Sequence, residues 1–482
     1  MLAVLNVLGS MLMLFSVTYL MPIVTSLIYG DGMLVDFIYA GTGCLLVGAS
    51  IVALTRKHKR ELRSRDGFLL VTLGWVLMSA IATVPLLLGL PGLTFTDAFF
   101  ETMSGLSTTG ATVLTGLDTM APSLNLWRHA LIWYGGMGII VLVVAILPLL
   151  GVGGMQLYKA ETPGPVKDEK LTPRITQTAR ALWFVYFLIT MACIGSLRLA
   201  GMGWFDAVCH AFAAMGLGGF STHDASVGYF DSPAIEFVLI VFMLIAAMNF
   251  ARHFIAWQQK SLRTYATDVE AKAMLMIIGI ATFGVAFYIW LHGVYPSYLT
   301  ALRHTAFNLV SIATDCGFVS QDYGSWPMFA PMIILMLSCY CANTGSTGGG
   351  IKMFRTLVLF RQAVRELFLL VHPQAVTPVK IGGQVVANKI VFAVLAFVVL
   401  YFGTVVTLTF MLLASGLDFV SSFSAIIACI NNAGPGLGVV GPSSNFQGLT
   451  DFQTWVCSLA MLLGRLEIFS FLVLLTPAYW RR

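Results

Sequence analysis

One unit recurs four times along this chain: a long apolar run, a shorter half-apolar stretch ending in a glycine-containing turn, and a second long apolar run. Each long run has the roughly 20 residues needed to cross about 30 Å of hydrocarbon. The middle stretches are too short to cross and too apolar to lie free in water. In the first copy the runs are 67–90 and 125–150, around FTDAFFETMSGLSTTGAT from Phe95 to Thr112. In the second they are 178–200 and 234–258, around WFDAVCHAFAAMGLGGFST from Trp204 to Thr222. The third and fourth middles are YLTALRHTAFNLVSIATDCGF, Tyr298 to Phe318, and DFVSSFSAIIACINNAGPG, Asp418 to Gly436.

Two landmarks fix one register. Asp97 and Asp206 are each followed thirteen residues later by a glycine, Gly110 and Gly219, and the same interval leads from His304 to Gly317 and from Ser421 to Gly434. Successive glycines lie 109, 98 and 117 residues apart, the length of two crossings, a hairpin and a loop. Two further apolar runs, 2–27 and 35–55, precede the first copy, which predicts ten crossings and four stretches that enter and turn back. The first run has no basic leader and is too long for a signal peptide, so it is expected to be a retained helix. The predicted units are a helix pair at 1–58 and pore repeats at 59–154, 155–260, 261–372 and 373–482.

The fold class expected is an all-α membrane protein, with four pseudo-symmetric helix, re-entrant loop, helix repeats around one pore and two helices added at the N-terminus. With 58% hydrophobic and only 10% charged residues, the chain would aggregate in water. Basic residues cluster in Arg56–Arg65, Lys159–Arg180, Arg252–Lys272, Lys352–Lys389 and at Arg481 and Arg482. The positive-inside rule places these segments and both termini in the cytoplasm, with an even number of crossings. Only Arg128, Arg198 and Arg303 then fall outside, against 13 of the 22 acids. That excess of acids attracts cations to the outer face. The eight cysteines include no CxxC and are expected to be packing thiols.

Non-helical backbone at membrane depth survives only where protein buries it or it lines a wet cavity. Four returns meeting on one axis would present carbonyls that replace a cation's hydration shell, helped by the negative ends of the half-helices. Glycine is needed where backbone approaches the axis without a Cβ. The expected ion-coordinating residues are Thr108, Thr109 and Gly110; Leu217, Gly218 and Gly219; Asp315, Cys316 and Gly317; and Asn432, Ala433 and Gly434. Asp97 and Asp206 fall where half-helices begin and are expected to be N-caps. Asp315 could present its carboxylate at the outer mouth or brace the turn through a buried hydrogen bond. His129, His210 and His304 show no ligand spacing and are expected to be structural.

These motifs resemble the superfamily of potassium transporters, and within it the TrkH/TrkG type of bacterial uptake subunit. The resemblance covers nearly the whole chain. It rests on STTGAT, GLGGFST, ATDCGF, NNAGPGLG, NTGSTGGGIK (Asn343 to Lys352) and GRLEIF (Gly464 to Phe469), in that arrangement. The extra N-terminal helix pair favours this type over the shorter KtrB branch. The returns depart from the TVGYG of tetrameric channels. The resemblance implies potassium uptake across a bacterial inner membrane with K⁺ as the transported ion. It also implies a homodimer with one pore per protomer, docked on a cytosolic ring of nucleotide-binding TrkA-type subunits. Basic loops suit that ring but equally suit anionic membrane lipid. No nucleic-acid partner is expected.

Within the third copy's second helix, Asn343, Thr344, Gly345, Ser346, Thr347, Gly348, Gly349 and Gly350 hold more glycine than close packing requires. With the resemblance, they are expected to form an unwound gating loop below the filter. Arg465 lies in the run 455–475, roughly 12–15 Å from either end if that helix is straight. An unpaired charge at such depth costs about 2.5–3.5 kcal/mol or more. Glu467, two positions on, is a poor partner, and carbonyls of the unwound loop are better acceptors. Arg465 is therefore expected to hold the loop shut; bracing of helices or a dimer interface is the alternative. Gly345 and Gly350 have the spacing of a nucleotide-binding P-loop, but Ile351 separates Gly350 from Lys352 and no Ser or Thr follows. No HExxH, GxSxG or paired intramembrane aspartates suggest an enzyme. A carrier coupling K⁺ to H⁺ or Na⁺ is the competing reading, against which stands the lack of an obvious buried carboxylate relay.

Overall fold

In lipid a peptide group has no partner but another peptide group, so the apolar runs fold as helices. The computed structural model describes residues 2–58, 64–145 and 171–481. The basic residues Lys59–Arg63 and Lys159–Lys170, and the predicted boundaries after 58 and 154, fall outside the described residues. The N-terminal pair comprises Leu2–Ser16 continued by Leu20–Tyr29, and Leu34–Thr55. It packs backbone to backbone where Gly9 meets Gly48, since a Cβ on either would lie within 2.9 Å of the other's carbonyl oxygen. Tyr19 and Phe37 then pack on Trp127 and join the pair to the first copy.

Each copy contributes a half-helix: Phe95–Leu106, Trp204–Gly216, Tyr298–Ala313 and Phe419–Ile430. Their flanking helices are Ser64–Ala82 and Pro122–Ala145, then Leu171–Leu199 and Pro233–Ala246, then Val269–Leu291 and Phe329–Ser338, then Asn388–Ala414 and Asp451–Arg465. Six described helices are long and apolar enough to cross a membrane, or up to eight if each of two bent pairs is one span. Among the described residues the departure from an all-α fold is a two-stranded hairpin, Lys380–Ile381 with Gln384–Val385. Its turn, Gly382 and Gly383, has φ of 58° and 83°, as a two-residue hairpin turn requires.

Two of the second helices, those of the second and fourth copies, are not the straight crossings expected. That of the second copy bends by 95° between Ala246 and Phe250, where Asn249 caps the new helix through the Ala251 N–H. That of the fourth bends by 112° between Arg465 and Phe469, with Glu467 and Ile468 at φ 52° and 56°. Arg465 therefore ends a helix at the bend and does not lie at the middle of a straight crossing. In the third copy residues 339–352 are non-helical, between Phe329–Ser338 and Met353–Val371.

The half-helix starts correct the capping expectation. Asp97 and Asp206 lie three residues after the caps Thr94 and Gly203, in the first turn. There a carboxylate suits the positive end of the helix dipole. The Asp97 carboxylate accepts from Thr94 Oγ1, and that of Asp206 from Thr222 Oγ1 at 2.7 Å. The aspartate that does cap is Asp418, in the fourth copy. Three caps stand sixteen residues before their glycine; in the third copy Ser297 stands twenty before Gly317, so that half-helix is one turn longer. All eight cysteines are buried free thiols, as expected.

Candidate functional site: four returns and a loop

All four half-helices end in the same way. Thr108, Leu217, Asp315 and Asn432, each two residues before the register glycine, sit in the left-handed region at φ 56–63°. In each copy the N–H of that residue bonds a carbonyl three residues back and the next N–H bonds one five back: Thr108 to Gly105 and Thr109 to Ser104, and likewise Leu217, Asp315 and Asn432 with their successors. This is a Schellman closure, whose left-handed position normally holds glycine. Four non-glycine residues there mark stored backbone strain, which clusters at functional sites.

The glycines that follow meet on one axis. A Cβ on Gly110 would strike the Gly218–Gly219 peptide, one on Gly219 the Gly317–Phe318 peptide, one on Gly317 the Ala433 carbonyl, and one on Gly434 the Thr109 carbonyl. Each return therefore abuts the next, and the fourth closes on the first. Gly110, Gly317 and Gly434 also need φ of 79–94°, whereas Gly219 is required by contact alone. Of the carbonyls of the two residues before each glycine, those of Gly218 and Cys316 accept from the N–H groups of Phe220 and Gly219. Those of Thr108, Thr109, Leu217, Asp315, Asn432 and Ala433 accept no hydrogen bond among the described residues, although these residues are buried. Buried carbonyls without a donor are uncommon and suit a cation.

A cleft opens on one side of this ring, lined by all four glycines with Thr112, Ser221 and other residues of the returns. On another side lies the glycine-rich loop, wedged into the bend of the second copy. Asn343 N–H donates to the Ala247 carbonyl and Phe250 N–H to that of Gly345, so each break satisfies backbone groups freed by the other. Thr344 N–H donates to Glu270 Oε2 at 2.9 Å, Ser346 Oγ to the Asn343 carbonyl, and Thr347 Oγ1 to the Met215 carbonyl at 3.2 Å. A Cβ on Gly348 would lie 3.2 Å from Asp315 Oδ2, Gly349 N–H donates to that same oxygen at 3.1 Å, and Gly350 turns the chain with φ 70°. Asp315 thus faces the loop, and its carboxylate does not reach the mouth.

Arg465 is 2% exposed. Its Nη1 donates to the Thr347 carbonyl at 2.9 Å and its Nη2 to that of Gly135 at 2.8 Å, joining the fourth copy to the loop and to the first copy. Glu467 pairs instead with Lys352, at 3.5 Å, and with Arg355, at the start of the helix that follows the loop.

The returns are braced by polar residues of which the sequence singles out His210, as structural, but not Glu101, Asn308 or Ser424. Glu101, His210 and Asn308 each lie nine residues before their glycine and hold the strand beyond it. Glu101 accepts from Thr112 Oγ1 and the Val113 N–H and pairs with Arg128, itself bonded to the Ser221 carbonyl. His210 Nε2 lies 3.0 Å from Ser221 Oγ, and Asn308 accepts from the Ser320 N–H at 3.0 Å. In the fourth copy Ser424, ten before its glycine, accepts from the Leu437 N–H. A polar residue at one repeated offset within an apolar half-helix was the available signal. His129 lies between the Asn125 and Phe220 carbonyls, within hydrogen-bond reach of each, and His304 stacks on Tyr295. Among the described residues no group of three or more His, Cys, Asp or Glu could hold a metal.

A family model described as TrkH, cation transport protein, matches residues 35–482. The chain is 46% identical over 483 residues to the Trk system potassium uptake protein TrkH of Vibrio parahaemolyticus, and 44% identical over 480 residues to that of Escherichia coli, covering 99% of each chain in both pairs. It is 40% identical to the Trk system potassium uptake protein TrkG of Escherichia coli, over 98% of this chain and 97% of that one. The crystal structure of the potassium transporter TrkH from Vibrio parahaemolyticus superposes with a TM-score of 0.92 at 43% identity, covering 100% of this chain and 99% of that one.

Proposed function

From the premise that this chain belongs to the TrkH family of cation transport proteins, we propose that it takes up K⁺ through one pore whose narrowest level is the ring of four returns. It is a multi-pass membrane transport protein and not an enzyme. The observation that carries the reading is the closed ring of glycines, with six buried carbonyls that accept no hydrogen bond among the described residues. Such oxygens replace water around a dehydrated cation, and a ring too crowded for a Cβ fixes their spacing. K⁺ is the cargo, coordinated by carbonyls of the residues before Gly110, Gly219, Gly317 and Gly434.

The 343–350 loop is the gate of this pore. Support comes from its seat between the bent second copy and the filter residue Asp315, and from the Arg465 bond to Thr347. Arg465 also places a fixed positive charge beside the path, which opposes cations while the loop is closed. The protein works as the translocating subunit of a Trk system in a bacterial inner membrane, as a homodimer with both termini cytoplasmic. Its basic cytoplasmic segments meet anionic lipid and a TrkA-type nucleotide-binding ring.

The test is K⁺ over Na⁺ preference in vesicles for Gly110→Ser, Gly219→Ser, Gly317→Ser and Gly434→Ser. Each is expected to weaken discrimination. Gly219→Ser is the most telling, because its backbone tolerates a side chain and only the neighbouring return does not. Unchanged preference in all four would remove the ring from the ion path.

A further inference from the structure

Strained backbone marks a second place in the protein besides the returns. Among the described residues, six buried residues other than glycine have a positive φ: Thr108, Leu217, Asp315 and Asn432 at the returns, and Lys352 and Ile468. Lys352, at φ 71° and ψ 147°, lies in a region that side chains avoid and glycine alone enters freely. Ile468, at φ 56° and ψ −53°, centres a three-residue turn in which the Phe469 N–H donates to the Glu467 carbonyl, the rare and strained form of that turn. Such conformations persist only where the surroundings over-determine them.

Both strained points border one ion cluster. Lys352 Nζ lies 3.5 Å from Glu467 Oε1, and Arg355, in the first turn of the helix Met353–Val371, donates to Glu467 Oε2. The Arg355 guanidinium lies 4.1 Å over the Phe397 ring, and Phe397 packs against Phe469, the first helical residue beyond the bend of the fourth copy. The cluster grips the loop at its neck. The Ile351 N–H donates to the Cys339 carbonyl at 2.7 Å and the Met353 N–H to that of Ala342 at 2.8 Å, which pins the two ends of the loop together as one compact unit. Lys352 lies between those two bonds. Two residues before Glu467, Arg465 holds the middle of the same loop through the Thr347 carbonyl. One helix end therefore grips the loop twice, at its middle and at its neck.

We propose that Glu467 is a positioning residue of the gate: its carboxylate latches the neck of the loop through Lys352 and Arg355 and holds the strained backbone on both sides of the contact. The assignment rests on the reading of the 343–350 loop as the gate. Of the three charged groups Glu467 alone is negative, so its loss deletes two ion pairs and leaves two cations facing each other. Displacement of the segment beyond the bend, Phe469–Leu475, pulls on the same carboxylate, so bend and loop let go together.

Hydrogen exchange of the purified full-length chain in detergent, read by mass spectrometry, follows the latch directly, since the Ile351 and Met353 N–H groups exchange when the neck opens. In Glu467→Gln the amides of 343–353 are expected to exchange about tenfold faster than in wild type, while those of the half-helix Phe419–Ile430 keep their rate. Lys352→Met keeps the Arg355 pair and is expected to give about threefold. Adding Lys352→Met to Glu467→Gln removes the repulsion and is expected to slow the loop below the rate of Glu467→Gln alone, a reversal that lost packing does not produce. Loop exchange within about twofold of wild type in both single variants, or a rise shared equally by the Phe419–Ile430 half-helix, overturns the latch. Should Glu467→Gln not fold, Lys352→Met decides by the same two criteria. The exchange needs no flux: faster loop exchange with unchanged Rb⁺ flux upholds the latch and counts against the loop as the gate.

Discussion

Arg465→Ala removes one of the side chains that tie the 343–350 loop, proposed as the gate, to the rest of the protein. Of its two hydrogen bonds, that to the Gly135 carbonyl joins two helices and that to Thr347 joins a helix to the loop, so only the second depends on loop position. A hydrogen bond from a charged donor contributes about 1.5–3 kcal/mol net. Losing it from the closed state alone shifts the closed-to-open equilibrium about 10- to 150-fold towards open. The variant also removes a positive charge proposed to oppose cations near the loop. Initial Rb⁺ uptake into vesicles holding Arg465→Ala, without any cytosolic subunit, should therefore exceed wild type by at least about tenfold until the open fraction saturates. Loss of the Gly135 bond should lower the melting temperature in parallel. Flux within twofold of wild type together with a lower melting temperature would refute the gating argument and leave Arg465 a brace between helices.

Asn308→Leu leaves the buried Ser320 N–H without its acceptor, a cost of about 1–3 kcal/mol. A lower melting temperature with reduced K⁺ over Na⁺ preference is expected, and unchanged preference would limit Asn308 to stability. At the mouth, the hydrogen bond from His223 holds the Asp118 carboxyl below its ordinary value of 3.8. The pair's contribution is thus complete above pH 4 or so and lost as pH falls further, and Asp118→Asn should remove that part of the acid sensitivity of the melting temperature.

The repeat and its glycines were legible because their cause is strict: where one return's backbone touches the next, as Gly219 touches Gly317, no other residue fits, and the spacing records it. The loop was legible through Gly345 and Gly348–Gly350, which no stable helix concentrates in so few positions. The bends were not. Glu467 and Ile468 carry left-handed backbone with no glycine or proline to announce it, held in place by ion pairs to Lys352 and Arg355 that join segments over 110 residues apart. The longer third half-helix is not legible because the landmark aspartates suggest caps, while they lie in the first turn. Asp315 was weighed for the mouth because sequence places it beside Gly317 but cannot say which way its side chain turns. The loop that gives it a donor is folded in from 34 residues away.

The central claim, a continuous K⁺ pore, separates most directly from a coupled carrier in the reversal potential of purified chain in vesicles under opposed K⁺ and H⁺ gradients. A pore settles at the K⁺ equilibrium potential whatever the pH on either side. A reversal potential that moves with the H⁺ gradient at fixed K⁺ would contradict the account and establish coupling in its place.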